Sequence, residues 1–136
     1  MVRILVVEDN APENDLLKDD VQDSFPGRVE LVAVTDGEQA SPLFKEHWDG
    51  VIVDLALPGK SGVMLLREMN VLPNFKNIPV RLVTAYLSGP TDDYARKILK
   101  NVEEASTNLD LRITYKPYEL EEVRGFIGYV IQKAGG

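Results

Sequence analysis

The sequence predicts an α/β fold, a doubly wound parallel sheet of five strands with helices on both faces. Three observations carry that expectation. Short apolar, β-branched runs without polar alternation recur along the chain, the pattern of strands buried on both faces. Helical patterns separate them, and strand alternating with helix five times means a parallel sheet covered on both sides. The length of 136 residues with 44% hydrophobic content suits one compact domain, residues 1–136, with a real core.

Each element can be justified in turn. Ile4 to Val7 is the first strand, and Pro12 to Gln22 follows as a helix with Leu16, Leu17 and Val21 on one stripe. Val29 to Val34 is the second strand. Thr35-Asp36-Gly37-Glu38 has the spacing of a capping box and opens a helix running to about Glu46. Val51 to Val53 is the third strand, and Gly62 to Asn70 a helix carrying Val63, Leu65, Leu66 and Met69. Val80 to Val83, a helix from Tyr94 to Val102, the weaker strand Leu111 to Thr114 and a helix from Glu119 to Gln132 complete the order.

The totals exclude several function classes. A net charge of −7 and a pI near 4.7 argue against nucleic-acid binding by this chain, which needs basic surface to neutralise phosphates. There is no cysteine, which removes disulfides, thiolate catalysis and cysteine-based zinc sites. The single histidine, His47, cannot build a multi-histidine metal site. No apolar run approaches the roughly 20 residues that span a bilayer, and "MVRILVVEDN" lacks the length and cleavage site of a signal peptide. A cytoplasmic protein with no membrane contact is the plain expectation.

In open parallel sheets, ligands bind beyond the carboxyl ends of the strands, where strand order reverses. The first strand ends in Glu8-Asp9, the third in Asp54, the fourth in Thr84, and the fifth runs into Lys116-Pro117. Each residue alone has an ordinary explanation: a turn Asp, an acidic helix cap, a strand-forming Thr, a solvated Lys. Together they put three carboxylates, a hydroxyl and an ammonium on one edge. Carboxylates held so close resist ionising jointly unless a cation joins them. An all-oxygen donor set suits a hard ion, with Mg²⁺ typical where a few protein ligands leave room for water and phosphate. Lys116 offers a point charge to a phosphoryl oxygen, and Thr84 a hydrogen bond.

With those residues placed, the chain resembles the receiver domain of two-component response regulators over nearly its whole length. The resemblance rests on "ILVVEDN", "TDGEQA", "VIVDLALPGKSG", "VRLVTAY" and "YKPY" taken together. It implies a (βα)5 flavodoxin-like fold with strand order 2-1-3-4-5. It implies that Asp54 is the phosphoacceptor, and that Asp9 holds Mg²⁺ directly and Glu8 through water. Asp54 and the main-chain carbonyl of Ala56 are implied as further ligands. Thr84 would bind the phosphoryl group and Lys116 would contact Asp54 or its phosphate, across a cis Lys116-Pro117 bond. The implied partners are a sensor histidine kinase or histidine phosphotransfer protein and a downstream output protein, and family precedent adds a homodimer through the fourth and fifth helices. The domain would be no separate enzyme, but would catalyse its own phosphorylation and dephosphorylation.

Departures are also legible. The aromatic usual three positions before the lysine is Ile113, with Tyr115 and Tyr118 nearby instead. Between Thr84 and Lys116 the chain runs roughly ten residues longer than the family's usual spacing, and "NVEEASTNLD", Asn101 to Asp110, reads as an extended segment before the fifth strand. Tyr86 and Ala56 flank the expected route of attacking water. Only "KAGG" follows the last helix, so the expectation is a chain without its own output domain: a stand-alone regulator, a phosphorelay shuttle or a piece of a longer protein. The competing reading is a receiver-like protein–protein interaction module that is not phosphorylated. A haloacid-dehalogenase phosphatase would want Asp where Ala56 stands, a flavodoxin a hydroxyl- and glycine-rich loop where "EDNAPEN" stands, and no glycine-rich nucleotide loop is present.

Overall fold

A computed structural model describes residues 1–84 and 93–135. Tyr86, singled out above, lies outside the described residues. The elements run β1 (Val2–Val7), α1 (Ala11–Ser24), β2 (Val29–Val34), α2 (Gly37–Ala40), β3 (Gly50–Asp54), α3 (Gly62–Asn70), β4 (Pro79–Thr84), α4 (Asp93–Ala105), β5 (Asp110–Tyr115) and α5 (Leu120–Lys133). The strands form one parallel sheet in the order β2-β1-β3-β4-β5, as the resemblance implied.

The period-2 geometry of a strand explains why the central runs are apolar throughout. In β1, Leu5 and Val7 enter a core with Phe44, Trp48, Leu65, Leu66, Met69 and Val102, on the side of α2, α3 and α4. Ile4 and Val6 enter a second core with Leu17 and Val21 of α1 and Phe126, Ile127 and Val130 of α5. Every residue of β3 and of β4 is buried, so the strands that end in Asp54 and Thr84 have little freedom to shift. Burial of such side chains is the main stabilising term, about 1.5–3 kcal/mol for each large aliphatic one.

Two helices differ from the sequence reading. The second does not reach Glu46 as α-helix: α2 stops at Ala40 and a 3₁₀ turn covers Ser41–Lys45. Pro42 is the physical reason, since it has no N–H to return to the carbonyl of Glu38. Its cap is also one residue later than the Thr35 spacing suggested. Asp36 accepts from the Gln39 N–H at 2.7 Å, and Gln39 reaches back to the Thr35 N–H at 3.1 Å. The fourth helix runs past Val102 to Ala105, so half of the Asn101–Asp110 segment is helical. Its turn is fastened to the end of α3: Asn70 accepts from the Asn108 N–H at 2.7 Å, and Asn108 donates to the Asn70 carbonyl at 2.9 Å. Trp48 is buried, with its indole N–H on the Leu43 carbonyl at 2.8 Å.

Candidate functional site at the carboxyl edge of the sheet

β1 delivers the first acidic residues. Glu8 still belongs to the ladder through its N–H, which donates to the Val34 carbonyl at 3.1 Å. Its side chain is buried, whereas Asp9 is exposed. Asn10, not the acidic pair, caps α1 by accepting from the Glu13 N–H at 3.1 Å. Asn14, one turn into α1 and buried, donates to the Glu8 carbonyl at 3.0 Å and so fixes where the pair leaves the strand.

β3 delivers Asp54, which is 6% exposed. Its Oδ1 accepts from the Ala56 N–H at 2.9 Å, an Asx-type turn that starts the following loop. The loop folds back at once, with the Leu55 N–H on the Val83 carbonyl and the Gly62 N–H on the Leu55 carbonyl, both at 2.9 Å. Gly62 is demanded by this approach: a Cβ there would stand 2.5 Å from the Asp54 carbonyl oxygen. Ser61 then caps α3 by accepting from the Met64 N–H at 3.3 Å.

β4 and β5 close the site. Thr84 is buried, and its carbonyl accepts from the Lys116 N–H at 2.9 Å. The Lys116–Pro117 peptide is cis. Lys116 Nζ donates to Asp54 Oδ2 at 2.7 Å and to Glu8 Oε2 at 3.1 Å. All five expected side-chain residues therefore share one edge, and Asp54, Ala56, Thr84 and Lys116 line one pocket, walled on its apolar side by Leu55, Val63 and Ile98.

The electrostatics are unbalanced. Oxygens of Glu8, Asp9 and Asp54 lie within 4.8 Å of one another, with Lys116 joining two of them. Burial first, then the adjoining Asp54 and Asp9, push the Glu8 carboxyl up to about 7, against the pull of Lys116. Burial works to lower the Lys116 ammonium, but its bonds to Asp54 and Glu8 outweigh that and raise it. Three carboxylates and one ammonium leave surplus negative charge in a half-buried site. This donor set fits a hard divalent cation, whose charge relieves that surplus.

Sequence reasoning missed Asn14 and a group beside the loop after β3, where Lys60 Nζ donates to Ser41 Oγ at 2.9 Å and Glu68 Oε1 at 3.2 Å. Neither has a motif to betray it, because both depend on elements meeting in space.

A doubly wound sheet with an acidic cluster and a lysine converging where the order of strands reverses defines a receiver-type domain. Comparison with known proteins agrees: the model of the response regulator receiver domain matches residues 4–105, and the chain belongs to that family. The match stops before β5, yet the structure returns Lys116 to the same edge. The chain is similar to the virulence transcriptional regulatory protein PhoP of Salmonella typhimurium, at 34% identity over all of this chain and 54% of that protein. Against the transcriptional regulatory protein PhoP of Escherichia coli the identity is 32%, over 99% and 54%. The chain thus spans about half the length of the curated relatives it matches. Among solved structures, response regulator TrrA from Thermotoga maritima in complex with Mg²⁺-BeF has 27% identity and a TM-score of 0.70, over 96% of this chain and 99% of that one. The signal receiver domain of a histidine kinase from Syntrophus aciditrophicus shares the fold, with a TM-score of 0.78 at 21% identity, over 98% and 92%.

Proposed function

We propose that this chain, residues 1–136 as one domain, accepts a phosphoryl group on Asp54 from a sensor histidine kinase or histidine phosphotransfer protein, and that the change is passed to an output protein. The observation that carries this reading is the state of Asp54: buried at a strand end, with one oxygen held by the Ala56 N–H and the other by Lys116. A carboxylate held at both oxygens presents its lone pairs in a fixed direction, the positional requirement for in-line attack.

In the reaction, an Asp54 oxygen forms a bond to phosphorus while the bond from phosphorus to the donor's imidazole nitrogen, or to the oxygen of an acyl phosphate, breaks. The electron pair leaves with the donor. Lys116 is already within reach of the accepting oxygen and can follow the charge onto the transferred group. Thr84, at the end of the adjacent strand, would donate its hydroxyl to a phosphoryl oxygen. Glu8, Asp9, Asp54 and the Ala56 carbonyl would hold Mg²⁺, which when bound would neutralise phosphoryl charge. Hydrolysis reverses the gain, with water attacking phosphorus and Asp54 leaving as carboxylate. The surplus negative charge and the Mg²⁺ in the TrrA complex support this reading.

A cytoplasmic setting is part of the proposal; no helix of the described residues is long and apolar enough to cross a membrane. The test is intact mass after incubation with acetyl phosphate, with and without Mg²⁺. The reading expects a gain of one phosphoryl group in wild type that needs Mg²⁺ and is lost in Asp54→Ala. Absence of any gain, together with absence of Mg²⁺ binding, would favour the unphosphorylated interaction module instead.

A further inference from the structure

The loop after Asp54 carries Ala56, and its crest, Leu57 to Lys60, leans on α2. A Cβ on Gly37 would stand 2.5 Å from the Lys60 carbonyl oxygen, so the first turn of α2 and the crest are in direct contact. The backbone tie between them is long, the Gly37 N–H to the Pro58 carbonyl at 3.5 Å. The side-chain tie is better formed. Lys60 Nζ donates to Ser41 Oγ at 2.9 Å, just past the end of α2, and to Glu68 Oε1 at 3.2 Å on α3. Ser41 Oγ in turn donates to Glu68 Oε2 at 3.1 Å. One ammonium thereby pins the crest to two elements, and the side chain is 27% exposed, so water screens it only in part.

We infer that Lys60 is a positioning residue for the metal site, resting on the proposal above that Ala56 and the acidic cluster hold Mg²⁺. The outgoing end of the loop is fixed by β3; Lys60, next to the Ser61 cap of α3, fastens the returning limb of the crest, and through the backbone it would bear on how the Ala56 carbonyl is held beside the acidic cluster. It touches neither metal nor phosphoryl group. Its influence passes through the backbone, as outer partners orient the ligands of other metal sites.

The test is calorimetric titration of the full chain with MgCl₂, with thermal midpoints measured alongside. In Lys60→Met, which keeps the stem and loses the charge, Mg²⁺ affinity falls about tenfold, at the low end of outer-partner effects. The charge-swapped pair Lys60→Glu with Glu68→Lys recovers most of that loss, whereas Lys60→Glu alone does not. Should Lys60→Met fold poorly, Glu68→Gln breaks the same tie from α3 and lowers the affinity in the same direction. Wild-type affinity within about twofold in Lys60→Met or Glu68→Gln overturns the inference, leaving Lys60 as a packing contact. Failure of the wild type itself to bind Mg²⁺ overturns the site beneath it, and the inference with it.

Discussion

The two ends of the sheet are both charged, and the contrast between them separates structure from chemistry. At the amino end, charges meet in opposite-sign groups. Arg3 binds Glu30 at 2.5 Å and Glu46 at 3.1 Å and lies over the Trp48 ring at 4.3 Å. Asp110 accepts from Lys133 at 2.8 Å and from the Tyr129 hydroxyl. At the carboxyl end, three carboxylates converge on one ammonium. Balanced pairs near water contribute little each, about 0–1 kcal/mol, and tie strand ends together. An unbalanced, half-buried cluster is held against its own repulsion by the surrounding fold, and what it gains is affinity for a cation and, in the proposed function, an acceptor for phosphate.

The largest expected effect comes from worsening the imbalance. Lys116→Met leaves Glu8 and Asp54 without their shared counter-charge, and acetyl-phosphate labelling followed by mass spectrometry should slow by about a hundredfold or more, the scale of losing a preorganised charge-stabilising donor. Next is Gly62→Ala, which drives a methyl to 2.5 Å from the Asp54 carbonyl. Urea titration should show a loss of about 1–3 kcal/mol, as for other overpacked sites, with labelling impaired as well because the loop must move.

The amino end is expected to act on stability alone. The bonds from Lys133 and Tyr129 outweigh burial and hold Asp110 below its ordinary value. A carboxyl with a depressed folded value stabilises the fold above its unfolded value, and that contribution is lost as pH falls through the folded one. The stability gap between wild type and Asp110→Asn should therefore be open at neutral pH and close below about pH 4. Smallest is Glu46→Gln, which removes one of the two carboxylate partners of a half-buried Arg3: a slight fall in thermal midpoint, with labelling unchanged.

Much of this contrast was legible in the chain and part was not. β1, β3 and β4 announce themselves because burial on both faces forces unbroken apolar runs, and the carboxyl-end residues follow from where those runs stop. Arg81 is an exception inside β4: nothing local explains a buried guanidinium there, and only α5 does, through the Glu122 carbonyl at 3.1 Å and carboxylate at 3.2 Å. The shortening of α2 was readable at Pro42, but the capping pattern at Thr35 masked it. Asn14, the Asn70–Asn108 fastening and the Lys60 tether were not readable, since each joins segments whose meeting only the fold decides.

The most direct test of surplus against balance is the thermal midpoint of wild type and Asp9→Asn, each with and without Mg²⁺. Asp9 is exposed, so removing its charge leaves the core intact and relieves repulsion with two buried neighbours, a larger effect than the favourable term lost at the start of α1. Without metal, Asp9→Asn should melt about 2–4 °C above wild type, on the usual scale for a domain of this size. With Mg²⁺ at a hundred times its Kd, wild type should gain about 2.7 kcal/mol and Asp9→Asn almost nothing. Asp9→Asn melting below wild type without metal, or equal stabilisation of both by Mg²⁺, would contradict the account.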